Sequence, residues 1–158
     1  MSMKIGDLMP SLEGATSWFN LNENLEETIK GKATVVYFWA VSCGICKENL
    51  PKLKELKDRY ELQGVKFISV HMPRYESDTD LEKVRTAIEE FSIEDPCAVD
   101  NLHKLREAFR NEQGWVPVYY LFDAEGKLKV RAAGEFGIGI LKSTLEKMFP
   151  EVAKQTVA

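Results

Sequence analysis

The fold of this chain is decided by the stretch Trp39-Ala40-Val41-Ser42-Cys43-Gly44-Ile45-Cys46-Lys47. Residues 34–39, which lead into it, form a run of β-branched and aromatic residues that is typical of a buried strand. Residues 47–60, just after it, carry apolar side chains on roughly one face of a helix. The two cysteines therefore lie where a predicted strand ends and a predicted helix begins.

That position changes the chemistry of a thiol. The first turn of a helix has backbone N–H groups without intrahelical partners, and it carries the positive end of the helix dipole. A thiolate there is stabilised relative to the thiol, so its pKa falls below the free value of about 8.5. The spacing also brings the sulfurs of Cys43 and Cys46 within reach of a disulfide. Such a pair at a strand–helix junction predicts a redox-active dithiol.

The composition is that of an ordinary soluble domain. With 158 residues, 44% hydrophobic and 29% charged, the chain can bury a proper core, and we expect a single domain over residues 1–158. A net charge of −4 without a dense basic cluster argues against nucleic-acid binding. The N-terminus has no apolar signal region, and no uncharged run is long enough to span a bilayer. We therefore expect a cytoplasmic protein that does not bind membranes, with a removed signal or anchor as the alternative.

Strands and helices alternate along the rest of the chain. Apolar and β-branched runs predict further strands at residues 18–20, 65–71, 97–99, 118–122 and 128–132. Helical periodicity predicts further helices at residues 25–29, 81–91, 100–109 and about 138–149. Thr79 with Glu82 three residues later forms a predicted capping box, Asp100 is the predicted N-cap of the next helix, and residues 72–79 are a predicted loop.

From residue 34 onward the order is β-α-β-α-β-α-β-β-α, which predicts an α/β fold. Strands separated by helical crossovers pair in parallel, whereas the last two strands form an antiparallel hairpin. The expected architecture is a central mixed β-sheet flanked by helices on both faces. Sites in such sheets gather at the carboxyl ends of the strands, which is where Cys43 lies.

These features resemble the thioredoxin superfamily. The resemblance rests on Tyr37-Phe38-Trp39-Ala40, Cys43-Gly44-Ile45-Cys46-Lys47, Pro51, Val116-Pro117 and Phe122-Asp123-Ala124-Glu125-Gly126. An N-terminal extension and an inserted strand–helix segment between residues 72 and 110 resemble the TlpA/ResA branch, and in particular its YkuV-type soluble thiol-disulfide oxidoreductases. Residues 42–43, 70–74 and 116–120 echo that type. The resemblance covers nearly the whole chain, with a thioredoxin-like core at about residues 30–150.

The resemblance implies a role for each matching position. Cys43 is implied to be the exposed nucleophile and Cys46 the more buried resolving thiol. Pro117 matches the cis-proline of the family, and Val116 is expected to lend its backbone to an extended substrate segment. The predicted substrate-binding residues are Trp39, Ser42, Gly44, Ile45, Val116 and Pro117.

Two departures from the family concern the proton acceptor of Cys46. Plain thioredoxins have a buried aspartate where this chain has Tyr37, and the ResA group has a glutamate where this chain has Asn49. Tyr37 and Glu48 are therefore the candidate modulators, although Glu48 lies two residues beyond Cys46 and is expected to face another side of the helix.

A metal site is the main alternative for the two cysteines. A zinc site needs two more ligands, and the chain has no second C-x-x-C pair and no pair of histidines at zinc spacing. Cys97 is expected to be a small apolar strand residue, with a reactive third thiol as the alternative. His71 is expected to be a structural histidine, and His103 a solvated helix residue.

The predicted function is thiol-disulfide exchange with protein disulfides, in the reducing direction. The expected partners are those disulfides and an upstream thiol reductase, and we expect a monomer without a metal or organic cofactor beyond the Cys43–Cys46 disulfide. One rival is a thiol peroxidase, but the Pro-x-x-x-Thr-x-x-Cys loop of peroxiredoxins is missing before Cys43. The other rival is a binding module that retains the fold without catalysis.

Overall fold

Six strands and five α-helices make up most of the regular structure of residues 1–151, the part of the chain that this computed structural model describes. The strands are β1 Ser17–Phe19, β2 Thr34–Trp39, β3 Lys66–His71, β4 Cys97–Val99, β5 Val118–Phe122 and β6 Leu128–Ala133. The helices are α1 Leu25–Ile29, α2 Gly44–Tyr60, α3 Leu81–Glu90, α4 Lys104–Ala108 and α5 Gly137–Met148. Two 3₁₀ turns lie at Glu61–Gln63 and Glu76–Thr79.

The strands form one mixed sheet in the order β1-β4-β3-β2-β5-β6. β2 pairs in parallel with β3, and β3 with β4, while β1, β5 and β6 pair antiparallel to their neighbours. β2 and β3 therefore end side by side, with Trp39 opposite His71. The predicted mixed α/β sheet is confirmed, and the segment that carries Cys43 leaves it at the carboxyl end of β2.

The sheet separates two hydrophobic cores. On one face, side chains of β2 and β3 pack against α2, α3 and α5. On the other face, α1, α4 and residues near the N-terminus cover the sheet. All residues of β2 are buried because both faces of this central strand are covered, which explains its continuous apolar run. No helix within residues 1–151 is both long and apolar enough to cross a membrane.

Two predicted helix caps are wrong in detail. The N-cap of α3 is Asp80, whose carboxylate accepts a 3.0 Å hydrogen bond from the Glu82 N–H. Thr79 instead donates from its hydroxyl to the Glu76 carbonyl and closes a 3₁₀ turn inside the predicted loop. The capping box failed because Asp80 lies closer to the free N–H groups of the first turn.

The helix predicted to begin at Asp100 begins later, and its N-cap is His103. The carboxylate of Asp100 still binds this helix, since it accepts hydrogen bonds from the main-chain N–H groups of Leu105 at 2.8 Å and Arg106 at 2.9 Å. His103 has a left-handed backbone with φ of 58°, which turns the chain between Asp100 and the helix. Asp100 therefore lies outside α4 but still accepts hydrogen bonds from the free N–H groups of its first turn, because the turn at His103 brings the Asp100 side chain back over them.

Candidate redox site

The two cysteines of the C-x-x-C pair are joined by a disulfide at the start of α2. Cys43 is the N-cap of the helix, and its Cα lies 5.3 Å from the Cα of Cys46. The Cys46 N–H points at the Cys43 sulfur, with 3.1 Å between nitrogen and sulfur. The Cys43 N–H donates to the Ala40 carbonyl, and the Cys43 carbonyl accepts from the Lys47 N–H. A helix N–H and the helix dipole therefore act on the Cys43 sulfur, as expected for a stabilised thiolate.

Burial differs from the expectation that Cys43 is exposed. In this disulfide-bonded form Cys43 is 3% exposed and Cys46 is 2% exposed. Cys43 belongs to the core cluster against which Val116 also packs, and the Val116 carbonyl oxygen lies 3.7 Å from the Cys43 sulfur. Between the cysteines, Gly44 and Ile45 face solvent.

Trp39 does not lie at this surface. It is 1% exposed and packs in the core, edge-on to the ring of His71 at 4.9 Å between ring centres. The structure thus places Trp39 beneath the site, where it supports the neighbouring strand ends. Its side chain is not available for the substrate contact that the resemblance implied.

The segment of Val116 and Pro117 is held from both sides. The peptide bond between them is cis, Pro117 is buried, and the Pro117 carbonyl accepts a 2.8 Å hydrogen bond from the Gly134 N–H. The buried side chain of Asn111 bonds both the N–H and the carbonyl of Trp115, at 3.2 and 2.9 Å. The Trp115 ring remains 51% exposed beside the segment.

His71, at the end of β3, holds the loop that leads to Cys43. Its Nε2 accepts a 3.1 Å hydrogen bond from the Val41 N–H, which requires the ring proton to be on Nδ1. Burial lowers the pKa of His71 to about 4, with the nearby Asp78 carboxylate opposing the shift. The expected structural histidine is therefore neutral at physiological pH and fixes one residue of the redox loop.

Ser42 is bound by two residues of the segment after β3, Arg74 and Asp78, which were not among the predicted site residues. The Ser42 hydroxyl donates a 2.7 Å hydrogen bond to the carboxylate of Asp78, which is 2% exposed. Arg74 donates from Nη2 to the Ser42 carbonyl at 2.7 Å, and from Nε to the Ser42 hydroxyl oxygen at 3.2 Å. Burial alone would raise the pKa of Asp78, but hydrogen bonds from Ser42 and from the main chain of Arg74 and Tyr75 hold this pKa below its usual range.

One signal pointed toward this group. Parallel neighbours end at the same edge of a sheet, so the residues that follow β3 had to lie near those that follow β2. The spacing of Arg74 and Asp78, however, does not show which residue of that segment turns inward. Their contact with Ser42 spans 32 and 36 residues.

The candidate modulators lie apart from the sulfurs. Tyr37 donates from its hydroxyl to the Asp95 carboxylate at 2.7 Å, and Asp95 also pairs with Lys57. Lys57 lies eleven residues after Cys46 on α2, which is about 16 Å along the helix axis. Glu48 faces solvent. Asn49 is buried and donates from its side chain to the Glu135 carbonyl at 3.2 Å, so it ties α2 to the loop before α5.

The remaining cysteine and histidine are structural. Cys97 is fully buried in β4, and burial raises the pKa of its thiol to about 11. His103 is not simply solvated, because its Nε2 lies 2.8 Å from the Pro73 carbonyl oxygen and its backbone caps α4. Within residues 1–151, no group of three or more His, Cys, Asp or Glu side chains is arranged to hold a metal ion.

Comparison with known proteins identifies relatives over almost the entire chain. The model of the Redoxin family matches residues 4–148. The thiol-disulfide oxidoreductase YkuV of Bacillus subtilis is 38% identical over 149 residues, which cover 94% of this chain and 99% of YkuV. The thiol-disulfide oxidoreductase ResA of Bacillus cereus is 26% identical over 122 residues, which cover 77% of this chain and 66% of ResA.

The same relationship is seen among solved structures. A solution structure of a thioredoxin-like protein in the oxidized form superposes with a TM-score of 0.83 at 37% sequence identity. The superposition covers 94% of this chain and 99% of the other. The chain belongs to the Redoxin family, and it has the thioredoxin-like fold and the paired cysteines of a thiol-disulfide oxidoreductase.

Proposed function

We propose that this protein reduces disulfide bonds in other proteins, with Cys43 as the nucleophile and Cys46 as the resolving thiol. The observation that carries this assignment is the Cys46 N–H aimed at the Cys43 sulfur from the first turn of α2. The helix start favours the thiolate at Cys43, because Cys43 is the N-cap and its sulfur receives an N–H of the first turn, whereas Cys46 lies inside that turn.

The exchange proceeds in two steps. The Cys43 thiolate attacks one sulfur of the substrate disulfide, a bond forms between them, and the other substrate sulfur leaves as a thiolate. Cys46 then loses its proton, which ends on a departing substrate thiolate, and the Cys46 thiolate attacks the Cys43 sulfur. The Cys43–Cys46 disulfide forms, the second substrate sulfur leaves, and the substrate has gained the two electrons that the protein has lost.

The surface around the disulfide suits an extended polypeptide. Val116 offers its backbone next to the Cys43 sulfur, so a substrate strand can pair with it by strand addition. Two exposed apolar side chains are adjacent in sequence to this site: Ile45, between the cysteines, is 41% exposed, and Trp115, next to Val116, is 51% exposed. Ser42 and Gly44 complete the contact surface, whereas the buried Pro117 shapes it from below.

The reducing direction goes with a cytoplasmic location. Thiol pools in the cytosol keep protein thiols reduced, and an upstream thiol reductase would return two electrons to the Cys43–Cys46 disulfide. In this proposal the Cys43–Cys46 disulfide is the redox group. The protein works as a monomer and needs no metal or organic cofactor. A reduction potential of the purified protein near −270 mV would agree with a reductant, and one near −120 mV would contradict it.

Trapping the intermediate tests the roles of the two cysteines. The Cys46→Ser variant should accumulate a mixed disulfide with a protein substrate such as insulin, visible as a reducible adduct on a non-reducing gel. Cys43→Ser should form no adduct and show no turnover. Normal turnover by Cys46→Ser would move the resolving role to another thiol and would overturn the assignment.

A further inference from the structure

The peptide that precedes Cys43 is anchored by the last residue of β3 and by the segment that follows it. His71 accepts from the Val41 N–H, the Ser42 hydroxyl donates to Asp78, and the Ser42 carbonyl accepts from Arg74. The Val116 carbonyl oxygen, by contrast, lies against the sulfur of Cys43 itself, at 3.7 Å. The loop therefore depends on this segment for its position relative to β3.

Arg74 has an unusual place in this group. It is an exposed side chain, yet its guanidinium makes three hydrogen bonds to one residue: 2.7 Å to the Ser42 carbonyl oxygen and 3.2 Å from each of Nε and Nη2 to the Ser42 hydroxyl oxygen. It also lies 5.4 Å from the ring centre of Tyr75. Its main-chain N–H is bound at 3.0 Å by the buried Asp78 carboxylate. The guanidinium group is thus held on Ser42, the residue that precedes the proposed nucleophile Cys43.

We propose that Arg74 is a positioning residue of the redox reaction, which fixes the Ser42 peptide and places a positive charge beside the Cys43 thiolate in the reduced protein. This inference rests on the proposed role of Cys43 as the nucleophile. A guanidinium stays charged at all physiological pH values, and an opposite charge near a thiol favours its ionised form. Arg74 then stabilises the dithiol form relative to the disulfide, which raises the reduction potential of the pair.

Other charges face the same region and must be separated from Arg74. Asp78 lies on the same segment and has the opposite sign, and His71 is neutral. A groove beside Val41 and Ser42 is also lined by charged side chains of two helices: Lys47 from α2 and Glu82, Lys83 and Glu90 from α3. These groups are the same in the wild-type protein and in an Arg74 variant, so the difference between the two measures Arg74 alone.

The experiment compares four single variants with the wild-type protein: Arg74→Gln, Arg74→Lys, Asp78→Asn and Arg85→Gln. Arg85 is the matched control, since it is an exposed arginine of α3 that pairs with Glu82. For each protein, the equilibrium with a glutathione redox buffer gives the reduction potential. The pH dependence of iodoacetamide alkylation gives the apparent pKa of Cys43, and circular dichroism checks the fold.

Arg74→Gln should shift the glutathione equilibrium at least threefold toward the disulfide, which is about 14 mV for a two-electron couple, and should raise the apparent pKa of Cys43. Arg74→Lys should return part of the shift because it keeps the charge but loses the forked contact. Asp78→Asn should lower the pKa of Cys43, since it removes a negative charge. Arg85→Gln should match the wild-type protein.

Two results would overturn the proposal. One is an Arg74→Gln protein that matches Arg85→Gln in both measurements. The other is a rise in the pKa of Cys43 in both Arg74→Gln and Asp78→Asn, which would show that loosening of the loop, not the charge of Arg74, controls the thiol. Failure of the proposed function itself is distinguishable, because it would appear in the wild-type protein as equal alkylation rates for Cys43 and Cys46.

Discussion

The hydroxyl group of Tyr37 donates a 2.7 Å hydrogen bond to the carboxylate of Asp95, between β2 and the loop before β4. Asp95 is 5% exposed and also forms an ion pair with Lys57 of α2. Burial raises the pKa of Asp95, while Lys57 and Tyr37 oppose the shift. Burial by itself would lower the pKa of Lys57, but the attraction of Asp95 raises it. One carboxylate thus connects the sheet to the helix that carries both redox cysteines.

Removal of Lys57 should be costly because it leaves this carboxylate buried without its counter-charge. We expect Lys57→Met to lower the free energy of unfolding at pH 7 by about 3–5 kcal/mol, measured by urea denaturation. The Lys57→Met/Asp95→Asn double variant should recover most of that loss. The deficit of Lys57→Met should shrink as the pH falls, since a carboxyl group with a raised folded pKa favours the folded state when protonated. Equal stability of Lys57→Met and wild type at pH 7 would contradict the pairing.

His71 should make the protein less stable in mild acid. Its pKa is about 4 in the folded protein, against about 6.5 in the unfolded chain. Between these pH values the unfolded state therefore binds more protons than the folded state. The contribution of neutral His71 to the free energy of unfolding is fully present above pH 6.5 and is lost as the pH falls toward 4. We expect a loss of roughly 3 kcal/mol from this group. Urea titrations should show a smaller loss over that range for His71→Asn, and parallel pH profiles would refute the assignment.

Cys97 should be inert in the folded protein. At pH 8 a thiol with a pKa of about 11 is ionised in only about one molecule in a thousand, and this one has no exposed surface. Mass spectrometry of the reduced protein after iodoacetamide treatment should show Cys43 fully modified and Cys97 unmodified, until denaturant is added. The Cys97→Ala variant is the control: in denaturant it should lack the adduct that the wild-type protein gains at position 97. Rapid alkylation of Cys97 in the folded protein would contradict this prediction and would indicate a reactive third thiol.

Trp115 should contribute to binding of protein substrates but not to the chemistry. Its exposed ring stands beside the Val116 backbone, and exposed aromatic residues often dominate the energy of an interface. Trp115→Ala should raise KM for a protein disulfide by up to roughly tenfold, which corresponds to about 1.4 kcal/mol. The rate with a small disulfide should stay unchanged. Leu62→Ala is the matched control, because Leu62 is 86% exposed and lies after the far end of α2; an equal effect of both variants would count against the docking surface.

Short-range patterns were enough to locate the main elements and the redox pair. The strands predicted at residues 34–39, 97–99 and 118–122 agree with β2, β4 and β5 at both ends. Runs of β-branched and aromatic residues identify a strand without knowledge of its partners when the strand is buried on both faces. The C-x-x-C spacing acts within one helical turn, so the local sequence also predicted that both cysteines lie at the start of a helix, where Cys43 is the N-cap of α2 in the structure.

Contacts between distant parts of the chain were decided only by the tertiary structure. Tyr37 and Asp95 are 58 residues apart, Asn49 and Glu135 are 86 apart, and Ser42 and Arg74 are 32 apart. Each pair forms because a crossover or hairpin brings two segments to one edge or face of the sheet. The burial of Cys43 belongs to the same class, since the Val116 carbonyl oxygen that lies against its sulfur is 73 residues away in the chain. Residue type shows that a side chain can donate or accept a hydrogen bond, but the packing of the sheet and helices determines which partner it meets.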